Sequence, residues 1–263
     1  MAGYFGTEAQ QRLQALAEAS ADFIDATPGA CQSGRTMGCD DPDRLGWPQI
    51  DAFLDRDGVC GFRLIPATKV AELKSHLLAR DYRLDSWDVF LADRAAALTA
   101  SEAVVARGLP DGLRVMAAPT EPENDYVRRI QNLMAAAGVV PFSGSMLTGA
   151  ARGMTTVVGD DKGNPVATAH CYLPHNVHSA YASYAWGGLV AVADAWRGKG
   201  LGNYVNARMT VSACRDLGAT HLYELVSTTN IASRRMVEAS GLRLEPSLFC
   251  GIAARNDSPR FTR

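Results

Sequence analysis

The chain has 263 residues, 47% of them hydrophobic and 21% charged, enough apolar material for one large domain or two small ones. A formal net charge of -2 removes any global pull toward nucleic acid or an anionic membrane surface, so neither is expected as a partner. Residues 1–30 lack the basic start and continuous apolar stretch of a secretory signal, and no later run reaches the roughly 20 apolar residues of a membrane span, so a cytoplasmic location is expected.

In chain order, Thr7 with Gln10 forms a capping-box pattern, and Leu13, Leu16, Ala17, Phe23 and Ile24 recur at helical spacing until Thr27-Pro28-Gly29. Residues 30–46, rich in Gly, Asp, Ser and Arg, read as a long loop. Gly61 to Ile65 reads as a strand, Pro66 opens a helix carrying Val70, Leu73 and Leu77, and Tyr82 to Leu91 alternates as a second strand. The same strand, helix, strand order returns at Leu222–Ser227, Ile231–Ser240 and Leu242–Ile252. Tyr82-Arg83-Leu84-Asp85 with Phe90 even echoes Leu242-Arg243-Leu244-Glu245 with Phe249. The turn Pro110-Asp111-Gly112 sets an expected boundary, with an N-terminal region at 1–110 and a second domain at 111–263.

Beyond it, Leu113 to Ala117 reads as a strand. Thr120 with Glu123 reads as the start of a helix bearing Tyr126, Ile130, Leu133, Met134 and Ala137 on one face and stopping at Gly138. Thr155–Val158 and Val166–Tyr172 read as a hairpin, Tyr184–Val192 as a strand, and 201–217 as a helix ended by Gly218. The six cysteines, Cys31, Cys39, Cys60, Cys171, Cys214 and Cys250, include no C-x-x-C pair, so neither a disulfide framework nor a zinc site is signalled and no metal is expected.

The segment that carries chemistry runs Val190-Ala191-Val192-Ala193-Asp194-Ala195-Trp196-Arg197-Gly198-Lys199-Gly200-Leu201-Gly202, an apolar strand followed by a glycine-rich turn that opens a helix. Glycines let a backbone approach a phosphate, and the free N–H groups at the positive end of a helix dipole favour an anion; Arg197 and Lys199 add charge. The P-loop pattern is absent, and glycines at 198, 200 and 202 have the wrong spacing for a dinucleotide fingerprint. Arg197, Gly200 and Gly202 do match the pattern of the GNAT acyltransferase superfamily: glutamine or arginine, two residues, glycine, one residue, glycine or alanine. Asn230-Ile231-Ala232-Ser233-Arg234-Arg235-Met236-Val237-Glu238-Ala239-Ser240-Gly241-Leu242 resembles that family's second motif.

The resemblance covers residues 113–252 and implies a mixed α/β (α+β) GNAT fold, a mostly antiparallel sheet flanked by helices. Residues 1–110 are then a helical or partial, degenerate GNAT-like region. It implies acetyl-CoA, or a related acyl-CoA, as co-substrate, with the backbone of Val190, Ala191 and Val192 along the pantetheine arm. Residues Arg197, Gly198, Lys199, Gly200, Leu201 and Gly202 would hold the pyrophosphate, and Asn230 and Ser233 would lie beside the CoA arm. The implied reaction is direct acetyl transfer to a primary amine of a small molecule; a protein amine, a non-catalytic acyl-CoA-binding module and an acyl-homoserine-lactone-type synthase are the alternatives. A homodimer is compatible with the sequence.

A lysine-like amine of pKa about 10.4 held neutral at pH 7 costs about 4.6 kcal/mol, so a base is expected. Residues 181–193, where the family often places a glutamate, contain no acid. Glu224 is the first substitute, because it shares a strand face with Leu222 and Val226 and must be paired or functional; His170 is the second. His175 and His178 fall in a loop that could line a substrate mouth, with no spacing that suggests a metal. The Val192 N–H is expected to polarise the thioester carbonyl. The family tyrosine that protonates the leaving thiolate corresponds here to Val237, leaving Tyr181, Tyr184 and Tyr204 as other donors.

Overall fold

A computed structural model describes residues 3–257. Thr7 accepts the Gln10 N–H and Gln10 returns the bond, so the capping box starts α1 (Glu8–Ala19) as expected. The apolar run then breaks at Ser20, whose hydroxyl bonds back to the Leu16 carbonyl, and continues as a separate helix α2 (Ala21–Ala26).

Residues 30–46, expected as loop, are instead a buried hairpin of β1 (Ala30–Ser33) and β2 (Thr36–Cys39), then the single turn α3 (Pro42–Leu45). Small side chains there serve close packing rather than mobility: a Cβ on Gly61 of the next strand would sit 1.9 Å from Ser33 Oγ. Next come α4 (Trp47–Asp57), which the sequence reading missed, β3 (Val59–Pro66), α5 (Val70–Ala79), β4 (Tyr82–Asp93) and a second unexpected helix, α6 (Arg94–Val105). The C-terminal half holds β5 (Leu113–Val115), α7 (Asp125–Ala136), α8 (Gly144–Leu147), β6 (Gly153–Asp160), β7 (Pro165–Tyr172), β8 (Tyr184–Val192), α9 (Leu201–Arg215), β9 (His221–Val226), α10 (Ile231–Ala239), β10 (Arg243–Leu244) and β11 (Leu248–Arg255). The cap of α7 is Asn124, which accepts the Val127 N–H, and not the expected Thr120.

The eleven strands form one sheet in the order β1-β2-β3-β11-β4-β9-β8-β7-β6-β5, with β10 paired to β4. Between β2 and β8 the order reads alike from either end: β2 and β3 are parallel, β3-β11-β4-β9 is antiparallel throughout, and β9 and β8 are again parallel. The C-terminal strand β11 therefore lies between two strands of residues 1–110, while β4 lies against β9. The sheet also curls back on itself, since Cys31 of β1 bridges His175, just beyond β7, and the Gln32 N–H donates to the Pro174 carbonyl at 2.9 Å. One core lies between the sheet and α9 with α6; a second lies under α7.

Candidate functional site

Parallel strands β8 and β9 pair only from Tyr184 opposite His221 to Gly187 opposite Glu224, after which they diverge. On its other side β8 carries a bulge: between Thr168 opposite Ala191 and His170 opposite Gly188 it has one residue more than β7. Leu189 takes up this residue at φ 52°, a left-handed conformation costly for a branched side chain and concentrated at functional sites. Beyond Gly187 the edge of β8 at Val190, Ala191 and Val192 that faces β9 is unpaired, and this break between the two strands is a gap in the ladder.

The expected anion turn closes the far end of this gap. Gly198 and Gly200 have φ of 75° and 78° with nothing near their missing Cβ, so the turn presents bare backbone in a conformation suited to glycine. Among the described residues the amides of 198–203 make no backbone hydrogen bond, and Gly200 caps α9 without a side chain. Arg197 pairs with Asp194 at 3.1 Å and Lys199 lies over the Trp196 ring, both exposed. A Cβ on Gly202 would lie 3.7 Å from Met236 Sδ and 3.8 Å from Val192, which brings the two sequence motifs together around the gap. Asn230 caps α10 by accepting the Ser233 N–H at 3.0 Å. Arg234 ties α10 to Asp88 of β4 and stacks on Phe90.

The expected proton-handling residues occupy different surroundings. Glu224 is buried on the α9 face of β9, where Asn206 Nδ2 donates to it at 2.9 Å and also reaches Ser240 Oγ at 3.1 Å. Burial raises its pKa to about 7, against the bond from Asn206. His170 is buried beneath Phe142, and Nδ1 lies 2.9 Å from Thr155 Oγ1. Thr155 already donates to the Leu147 carbonyl, so Nδ1 carries the proton and Nε2 is left without a partner. Burial lowers the pKa of His170 to about 3, which makes the imidazole a weak base at neutral pH. Val237 is buried in the α9 core, so no hydroxyl stands at that position of α10.

On the opposite face of β9 the fold assembles a polar chain that the sequence reading missed. Asp40 Oδ2 lies 2.6 Å from His175 Nδ1 and accepts from the Ser179 hydroxyl at 2.6 Å, while His175 Nε2 is 3.3 Å from the Tyr223 hydroxyl. All three of Asp40, His175 and Tyr223 are buried, and burial lowers the pKa of His175 despite Asp40. A neutral imidazole donating Nδ1–H to the carboxylate leaves its Nε2 lone pair to the phenol. Cys31 lies close enough to join them as a ligand trio, but Asp40 Oδ2 is already engaged twice and burial raises the pKa of the Cys31 thiol well above its usual value. The group eluded the sequence reading because Asp40 stands 135 residues from His175, inside a segment that composition marks as loop. A cavity of about 310 Å³ is lined by Glu18, Asp25, Gln32, Met146, Leu173 and His175, whose side chain is itself fully buried.

Residues 120–242 match the family model described as "Acetyltransferase (GNAT) family". Over nearly its full length the chain is similar in fold to a GCN5-related N-acetyltransferase from Kribbella flavida, at 15% identity, 97% of this chain, 98% of that chain and TM-score 0.58. It is similar also to a Drosophila protein, at 12% identity, 95% and 90% coverage and TM-score 0.55. A tandem GNAT protein from the clavulanic acid biosynthesis pathway aligns at 12% identity over 92% of this chain and 89% of that chain, with TM-score 0.53. No curated protein matches the sequence.

Proposed function

From the premise that residues 120–242 form a domain of the GNAT acetyltransferase family, we propose that the chain transfers an acetyl group from acetyl-CoA directly to a primary amine of a small molecule. The observation that carries this reading is the gap between β8 and β9, with a bulge on one wall and an unsatisfied helix N-terminus at its end. The turn from Arg197 to Gly202 takes the pyrophosphate, and Val190 and Val192 offer backbone groups to the pantetheine arm. Asn230 and Ser233 lie along the arm, and the Val192 N–H polarises the thioester carbonyl.

The amine nitrogen attacks that carbonyl, the C–N bond forms and the C–S bond breaks. The amine proton is assigned to the Tyr223–His175–Asp40 chain, in which the phenol can hand its own proton to the Nε2 lone pair of His175, a relay that Glu224, bonded to Asn206, lacks. Tyr223→Phe is expected to lower kcat roughly a hundredfold while Glu224→Gln leaves it nearly unchanged, and the reverse order would return the role to Glu224.

Calorimetric titration of acetyl-CoA is the first test. Binding to wild type, lost in a folded Gly200→Trp, Arg197→Ala double variant, is expected; no binding to wild type removes the reading. The buried Val237 favours a second reading, a module that binds acyl-CoA without turnover. Thiol release from acetyl-CoA with any member of an amine panel eliminates it.

A further inference from the structure

Arg63 of β3 projects into the interior of the curled sheet and is only 9% exposed. An arginine there stays protonated, and a buried guanidinium needs a compensating anion. Its electrostatic neighbours are Tyr172, Tyr223, Cys250 and Cys31. None supplies negative charge near neutral pH: burial pushes Tyr172 to about 12 and Cys250 to about 11, and holds Tyr223 and Cys31 well above their usual values. No carboxylate lies within salt-bridge distance of Arg63 among the described residues, and the Asp40 oxygen nearest His175 is committed to His175 and Ser179.

Two buried donors in this space lack acceptors. Arg63 Nε is one and Trp186 Nε1 is the other, and the guanidinium carbon lies 6.0 Å from the Trp186 ring centroid. Trp186 stands opposite Tyr223 in the parallel register, at the closed end of the gap between β8 and β9. The orphaned donors, one of them charged, thus lie beside the hydroxyl that ends the Asp40–His175 chain. Asp40 Oδ1 is a buried acceptor that is likewise without a partner, but no ion pair joins it to Arg63 among the described residues, so both donors remain without an acceptor oxygen.

We infer that Arg63 and Trp186 form a binding site for a carboxylate, and that the amine acceptor is an amino acid or a related amino carboxylate. The acceptor part of this inference rests on the transfer reading above; the carboxylate site does not. A planar carboxylate accepts from both donors, and the α-amino group it carries then falls toward the Tyr223 hydroxyl. A carboxylate on the acyl group of the donor would satisfy the same pair, and the test separates these sources.

Acetate titrated into the full chain at constant ionic strength, followed by tryptophan fluorescence, is expected to bind saturably to wild type. Binding should weaken at least tenfold in Arg63→Gln and severalfold in Trp186→Phe, which keeps the ring and removes only the donor; ethylamine should not compete. If Arg63→Gln does not fold by near-ultraviolet circular dichroism, Trp186→Phe decides. In turnover, glycine and alanine should exceed methylamine and ethylamine at least tenfold in kcat/KM with acetyl-CoA, with the preference erased by Trp186→Phe or Arg63→Gln. Equal use of both sets, with no acetate binding, overturns the proposal. Efficient turnover of ethylamine by succinyl-CoA but not acetyl-CoA keeps the site and overturns the acceptor assignment. Acetate binding with no turnover of any amine keeps the site and removes the transfer reading alone.

Discussion

Two buried titratable residues give the chain opposite responses to pH. Glu224 holds its proton more tightly in the folded state, so its contribution is most favourable below about 4.5 and is lost as pH rises through about 7. That interval corresponds to at most about 3 kcal/mol, and Glu224→Gln, which keeps the acceptor for Asn206, is expected to raise Tm at pH 8 more than at pH 5. An unchanged or lower Tm at pH 8 would mean that the ionised carboxylate is stabilised where it lies. For His170 the sign reverses: its folded pKa of about 3 lies below the unfolded value, so stability is present above about 6.5 and lost as pH falls. His170→Gln should flatten the acid limb of a Tm–pH profile.

Helix α10 shows how far a motif can be read without its surroundings. Residues 231–240 are legible as the helix of a motif, and the structure builds that helix with Asn230 as its cap and Gly241, at φ 90°, just beyond its end. Val237 is legible only as a departure from the family tyrosine; the fold adds that it is sealed in the core against α9, with no space for a phenol. Val237→Tyr is therefore expected to cost about 1–3 kcal/mol by overpacking and to leave kcat no higher, measured by chemical denaturation and steady-state kinetics. The anion turn was readable because its chemistry is local: glycines, a strand before them and a helix after. The Asp40–His175–Tyr223 chain was not, because each residue alone has the signature of loop or core and only the curl of the sheet joins them. Likewise β1 and β2 lack the alternation of an exposed strand, since their residues are almost all buried on both faces.

At the scale of the whole molecule, the near-palindromic strand order supports the proposal that residues 1–110 are a degenerate second copy whose last strand has changed places with that of residues 111–263. The segment after β2 corresponds to the turn after β8, yet it reads Asp40-Asp41-Pro42-Asp43, whose three acids repel a pyrophosphate. Calorimetry is therefore expected to find one acetyl-CoA per chain, and a stoichiometry of two would contradict the pairing of these segments. Residues 111–263 expressed alone would lack β4 beside β9, exposing a sheet edge and the apolar face of β11, and are expected to aggregate or remain unfolded by circular dichroism. A soluble, folded fragment would establish independent halves. The placement of β11 at the middle of the sheet also orders events in time. Its partner β3 leaves the ribosome about 190 residues earlier, roughly 10 to 40 s at ordinary elongation rates, and must wait that long for the strand that completes it. During translation β3 has one unfilled edge, which makes the nascent chain a client for whatever shields bare strands until synthesis reaches residue 255.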